Sequence, residues 1–271
     1  MNYAFMSFST PELTLDAMLA LAARLGYDGI EPRISAGHRH GIELDAGAAS
    51  RAASRAAAAA SGIALCCLAT SCAYADPAQT ADMLDATHRA IDLAGDVGAA
   101  RIRVFGGQLG EGLSREAAIA LLVAALSGVA DHAAARGVTI CLETHDAWCD
   151  PRHVAAVMRQ VNHPAIRVNW DIMHPVRGEF ATVRASFDLL RPYIAHLHVH
   201  DGEAGSGPLR PIGQGVVDHR TAIACLLAVN YPGYISGEWI GWEPYETHLP
   251  RELATLKGYE AAALTAPTRP A

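Results

Sequence analysis

Short runs of β-branched and other apolar residues alternate with longer stretches of helical periodicity along the whole chain. The pattern predicts eight strands, over residues 3–8, 29–33, 64–71, 101–106, 139–145, 166–171, 195–200 and 234–240. The helical segments between them have recognisable ends. Thr10-Pro11-Glu12 opens the first and Gly26 stops it, Ser114-Arg115-Glu116 opens the fourth and Gly137 stops it, and the glycine stop recurs at Gly62. The segment 46–60 is dominated by alanine, the best helix former, and carries Arg51 and Arg55 one turn apart, so it reads as an outer helix.

The strands recur about every 30 residues, the length of a βα unit, and the runs 64–69 and 166–168 are apolar on both faces, as buried parallel strands are. Eight strand–helix pairs in about 250 residues is the arithmetic of a closed (β/α)8 barrel, an α/β fold whose active site lies at the C-terminal ends of the strands. No Pro/Gly/Ser linker divides the chain, so residues 1–264 read as one barrel domain, with a disordered tail at 265–271. A doubly wound open sheet is the runner-up. It calls for a glycine fingerprint after the first strand, where this chain has Ser9-Thr10-Pro11.

Composition narrows the chemistry. Among 21 basic residues only Lys257 is a lysine, which disfavours Schiff-base, pyridoxal and P-loop chemistry. A formal charge of -7 provides no global field for phosphate backbones, so nucleic acid is not the expected partner. The six cysteines, at 66, 67, 72, 141, 149 and 225, follow neither a zinc-binding nor a secreted-disulfide spacing, and MNYAFMSFST is no signal peptide; both point to the cytoplasm. The longest apolar runs are alanine-rich and interrupted by Arg, Ser or Asp, so no membrane span is expected.

The polar residues at the strand ends carry the functional reading. Glu143 and His145 end the fifth strand, Asp171 ends the sixth with His174 three residues on, His196, His198 and His200 alternate along the seventh ahead of Asp201, and Glu238 ends the eighth. Period two sends the three histidines of the seventh strand to one face and Leu197 and Val199 to the other. Carboxylates from three strands and an imidazole from a fourth would then converge on the floor of the barrel mouth. Three confined carboxylates repel one another unless a cation neutralises them, and an oxygen-rich set with one nitrogen suits Mn2+ first, with Mg2+, Co2+ or Zn2+ as alternatives.

These residues resemble the xylose isomerase-like sugar isomerase/epimerase superfamily: Glu143 in LETH, Asp171 and His174 as DxxH, His196 and His198 as HxH ahead of Asp201, and Glu238 after a strand of small residues. Gly26-Tyr27-Asp28-Gly29-Ile30-Glu31 and Gly213-Gln214-Gly215-Val216-Val217-Asp218 extend the resemblance over essentially the whole chain. The resemblance implies a TIM barrel in which Glu143, Asp171, His198 and Glu238 hold one divalent metal ion, Glu143 and Glu238 double as acid and base, and His174 reaches substrate hydroxyls. It also implies a homodimer or homotetramer. After HxH the chain reads His200-Asp201-Gly202, where the family's ketose 3-epimerases have Thr-Gly-Glu followed by an arginine; Arg210 is the candidate replacement for that arginine.

Other residues admit two readings each. His145 either binds substrate or holds a strand-end carbonyl, and Glu31 binds either a substrate hydroxyl or a histidine behind the site. One of His196 and His200 braces a metal-binding carboxylate, and the other lies at the rim and meets substrate, the role assigned to His200. Trp239 and Trp242 are packing residues or cover the apolar face of a sugar ring. His38 and His40 are exposed loop residues or a lid. The glycines of 202–215 are an anion nest or turn formers.

The expected activity is isomerisation or epimerisation of a small polyhydroxylated sugar or ketose through an enediolate. The closest alternative is a metal-dependent dehydratase of a keto-inositol or dehydroshikimate-type substrate. Further off are an endonuclease IV-like repair enzyme, disfavoured by the acidic chain, and a sugar-binding barrel without activity.

Overall fold

The computed structural model describes residues 1–265. The strands in chain order are β1 (Asn2–Met6), β2 (Gly29–Glu31), β3 (Ala64–Leu65), β4 (Leu68–Ala73), β5 (Arg101–Phe105), β6 (Thr139–Glu143), β7 (Ile166–Asp171), β8 (Ile194–Val199), β9 (Asp201–Gly202), β10 (Leu209–Arg210) and β11 (Tyr234–Gly237). The helices are α1 (Leu15–Leu25), α2 (Ala48–Ser61), α3 (Thr80–Val97), α4 (Arg115–Ala135), α5 (Pro151–Val161), α6 (Met173–Arg177), α7 (Val183–Leu190), α8 (His219–Ala228) and α9 (Tyr245–Thr265).

All pairings in the main sheet are parallel, and its order is β3-β2-β1-β11-β8-β7-β6-β5-β4. The expected third strand is divided at Cys66 and Cys67: β3 pairs with β2 and β4 with β5. One stave thus serves both edges, and the Arg33–Ala69 bridge closes the circle. The result is the single (β/α)8 barrel expected from the strand spacing, with β9 and β10 as a small hairpin in the loop after β8.

Outward-facing strand residues pack beneath helices. Phe5 meets Tyr27 with ring centroids 5.0 Å apart, and Trp170 donates to Ser186 Oγ at 2.9 Å while its ring lies against Phe187. Inside the barrel Ala4, Cys66 and Cys67 form a separate small cluster with Tyr234, so these thiols are packing groups. All six cysteines are free.

Several element ends differ from the sequence reading. β1 stops at Met6, because Ser7–Ser9 turn into a 3-10 helix, and α1 begins after Thr14, whose hydroxyl accepts from the Ala17 amide, rather than at Thr10-Pro11-Glu12. The stops at Gly26 and Gly62 hold, both left-handed with φ of 83° and 72°. β11 ends at Gly237, which leaves Glu238 on the loop just beyond it. Contrary to the expectation of no membrane-length run, α4 is long and apolar enough by composition to cross a membrane; its Leu122, Leu126 and Val129 are instead buried in the barrel's helical layer. Thr265 is helical, and the rest of the expected tail, 266–271, lies outside the described residues.

Candidate active site

Alternation along the parallel strands aims Glu143, Asp171 and His198 into the barrel: Asp171 and Ser236 pair in register with His198, and Glu143 pairs with Asn169, two residues before Asp171. Their neighbours Leu142, Trp170 and Leu197 have no exposed surface on the outward side. Glu238, one residue past β11, joins them from the fourth direction. Ligand atoms of Glu143, Asp171, His198 and Glu238 all lie within 4.8 Å of one another, and the four residues are buried. His198 Nδ1 is 2.7 Å from Glu143 Oε1 and 3.3 Å from Glu238 Oε2.

The residues fit a divalent cation. Three buried carboxylates face one imidazole, more negative charge than that ring and the Arg103 guanidinium 3.1 Å from Glu143 Oε2 can balance. Asp171 divides its two oxygens. Oδ1 accepts the Met173 and His174 amides at 2.8 and 3.1 Å, and Oδ2 accepts from His200 Nε2 at 2.8 Å.

The electrostatics keep Asp171 and Glu238 ionised. Burial would raise Asp171 and Glu238, but the imidazoles around them prevail. His200 and His174 hold Asp171 well below the usual carboxylate range, and His198, His200 and Arg103 bring Glu238 down to about 2. Burial likewise disfavours the charged forms of His198 and His200, yet the carboxylates facing them raise both above the ordinary imidazole value. His174 goes the other way, pushed down chiefly by burial.

His145, His174 and His200 stand side by side at the mouth, with ring centroids 4.3 Å apart between the first two and 5.5 Å between the last two. The side chains of His145 and His174 are 31% and 24% exposed, so both are reachable from the mouth. His145 Nδ1 lies 3.0 Å from Asp146 Oδ1; burial would lower this imidazole, but Asp146 and Glu143 push it up to about 9.

Of the residues offered as substrate contacts, three are engaged with other side chains, Glu31 and Trp239 in the reading that keeps them from substrate. Glu31 has no exposed surface and is bonded to His196 and His198 behind the cage. Arg210 is exposed on the β9–β10 hairpin and ion-paired with Glu203. Trp239 is 1% exposed and packs on His248, with ring centroids 5.2 Å apart. Trp242 lies against the same histidine.

Two other expectations change. His40 is buried, with Nε2 3.1 Å from the Arg33 carbonyl and Nδ1 accepting from the Ile42 amide, so it clips its loop rather than forming a lid. The glycine-rich 202–215 loop wraps its amides around a carboxylate of its own: Asp201 accepts from Gly202, Gly213, Gly215 and Val217 at 2.9 to 3.2 Å. Those amides are therefore already filled and are not an open nest for a substrate anion.

Sequence reasoning missed Arg103 and Arg33. Arg103, fully buried, places Nε 3.1 Å from Glu143 Oε2, donates to the Thr70 carbonyl at 2.7 Å and lies over the Phe105 ring. Arg33 reaches Ser71 and the Ala69 carbonyl. Both follow the inward period-two register, two residues before Phe105 and two after Glu31, and that register was the available signal.

With this geometry in view, the comparisons with known proteins are consistent. The family model described as xylose isomerase-like TIM barrel matches residues 19–259. The chain superposes on the structure of L-ribulose 3-epimerase with a TM-score of 0.80 at 19% identity, covering 100% of both chains. For the probable 3-DHS dehydratase of petrobactin synthesis from Bacillus anthracis the TM-score is 0.79 at 18% identity, over 95% of this chain and 99% of that one. A xylose isomerase-like TIM barrel protein from Mycobacterium smegmatis, in complex with magnesium, gives 0.74 at 19% identity over 97% of each chain. At these identities the likenesses are ones of fold. No curated protein matches the chain in sequence.

Proposed function

Because the chain belongs to the xylose isomerase-like TIM barrel family, we propose that it is a divalent-metal-dependent isomerase or epimerase of a small sugar or ketose. The observation that carries this reading is the convergence of Glu143, Asp171, His198 and Glu238 on one buried point. Three carboxylates and one imidazole favour Mn2+, with Mg2+, Co2+ or Zn2+ able to take its place. Held there, the cation supplies Lewis acidity, polarising a substrate carbonyl and offsetting the negative charge that develops on its oxygen.

The chain's own residues do the rest. Glu143 and Glu238 approach from β6 and from beyond β11, so they flank a bound substrate on two sides. One takes the proton from the carbon beside the carbonyl and the other delivers a proton back. Delivery to the same carbon from the opposite face gives an epimer, and delivery to the neighbouring carbon gives an isomer. The imidazoles of His145, His174 and His200 orient the hydroxyls at the mouth, and burial of the cage limits water around the reacting carbon.

One observation favours the dehydratase alternative as a second reading. His145 is reachable from the mouth, 4.3 Å from the His174 ring between centroids and 3.0 Å from Asp146, which favours its charged form, so it is placed to donate a proton to a departing β-hydroxyl. A metal-supplemented screen of ketoses, keto-inositols and dehydroshikimate, read by mass and by exchange with deuterated water, tests both. Product of unchanged mass supports the isomerase or epimerase; loss of one water with a new ultraviolet absorbance replaces it with the dehydratase.

A further inference from the structure

Glu31 takes no part in the chemistry above, yet it is a carboxylate with no exposed surface deep inside the barrel. It stands on β2, and β1 and β11 separate that strand from β8, which carries its partners, so the side chain spans the barrel interior. Its oxygens accept from His196 Nε2 at 2.7 Å and from His198 Nε2 at 3.1 and 3.2 Å. The other nitrogen of His198, Nδ1, faces Glu143 and Glu238 in the cage.

A histidine binds a cation only as the neutral imidazole, which carries a single N–H, so the Nδ1 proton shared with Glu143 must leave when the cation enters. With the remaining proton held at Nε2 by Glu31, the lone pair is left at Nδ1, on the side where the cage carboxylates converge. A carboxylate on the second nitrogen of a metal-binding histidine fixes the ring's orientation and raises its basicity. We propose that Glu31 is a positioning residue, which holds the Nε2 proton of His198 so that Nδ1 is the nitrogen presented to the cation. His196, donating to the same carboxylate, keeps Glu31 aimed across the barrel. This inference rests on the metal-dependent reading of the cage.

The test is Glu31→Gln, which keeps the volume and removes the negative charge. Titration of the metal-free protein with Mn2+ by calorimetry is expected to give a Kd about 10–100-fold weaker than wild type. A Kd within about twofold of wild type, in a variant that melts at the wild-type temperature, overturns the inference. A second measurement covers a variant that does not fold. In metal-free wild-type protein labelled with 15N-histidine, the Nε2 proton of His198 is expected as a slowly exchanging, hydrogen-bonded resonance, and its absence overturns the inference. Wild-type protein that binds no divalent ion refutes the proposed function and this inference with it, whereas a missing Nε2 resonance, or an unchanged Kd in Glu31→Gln, in a protein that does bind the ion overturns this inference alone.

Discussion

Arg103 Nε lies 3.1 Å from Glu143 Oε2, with the two side chains 1% and 0% exposed. Removing one partner of a buried ion pair leaves the other charge uncompensated, at a cost of about 3–5 kcal/mol. In Arg103→Met, Glu143 would face Asp171 and Glu238 without that cation. Urea unfolding of the metal-free variant is expected to show a loss in this range, partly restored by Mn2+ as the added cation offsets the same carboxylate. A loss below about 1 kcal/mol, the scale of an exposed pair, would count against this role for Arg103.

Glu238→Gln keeps the side chain's shape while removing its charge and its basicity. At least a hundredfold fall in turnover, with weaker metal binding, is expected, roughly 3 kcal/mol of lost transition-state stabilisation. Near-normal kcat at saturating metal would refute the assignment of Glu238.

His40 gives an acid-side dependence. Burial pushes its pKa from the ordinary 6.5 down to about 4, against the raising effect of the Arg33 carbonyl. The neutral ring therefore stabilises the fold fully above pH 6.5, and this stabilisation is lost as pH falls from 6.5 through 4, by about 3 kcal/mol in all. Gln at position 40 offers a similar donor and acceptor without titrating. The drop in unfolding free energy between pH 7 and pH 4.5 is expected to be smaller in His40→Gln by about 2 kcal/mol, measured with denaturant at each pH; equal drops would show that His40 is not buried neutral.

Gly215→Ala tests the loop clamp. A Cβ at this position would meet Asp201 Oδ1 at 2.2 Å and the Gly202 carbonyl at 2.4 Å, so the loop must open or Asp201 must release its amides. Overpacking of this kind costs about 1–3 kcal/mol. A lower Tm is expected by calorimetry, and an unchanged Tm would contradict the clamp.

The strand ends were the legible part of the site. Period two along His196, Leu197, His198 and Val199 is a local rule, and parallel strands follow from the βα spacing, so the convergence of Glu143, Asp171 and Glu238 with an imidazole of the seventh strand is readable from the amino-acid sequence, while the choice of His198 among its three histidines came from the family resemblance. Residues whose role depends on the width of the barrel are readable only as alternatives. Glu31 lies 165 residues from His196 in sequence, and only closure of the sheet brings them to 2.7 Å. Arg103 was hidden because an arginine within a strand looks the same whether it faces solvent or a buried carboxylate. Arg210 and the glycines of 202–215 misled for a related reason: a turn near the mouth is satisfied by its own acids, Glu203 and Asp201, which spacing does not reveal.

The central claim is that this cage, with a divalent cation, exchanges a proton beside a substrate carbonyl. The direct measurement is deuterium uptake from D2O into each of a panel of ketoses, followed by mass and proton NMR with protein as purified, after chelation, and after Mn2+ is added back. One carbon-bound deuterium at the position beside the carbonyl in at least one ketose, abolished by chelation and by Glu238→Gln and restored by Mn2+, is the predicted result. Exchange that persists in chelated protein, or that is absent from every ketose with the metal bound, would contradict it.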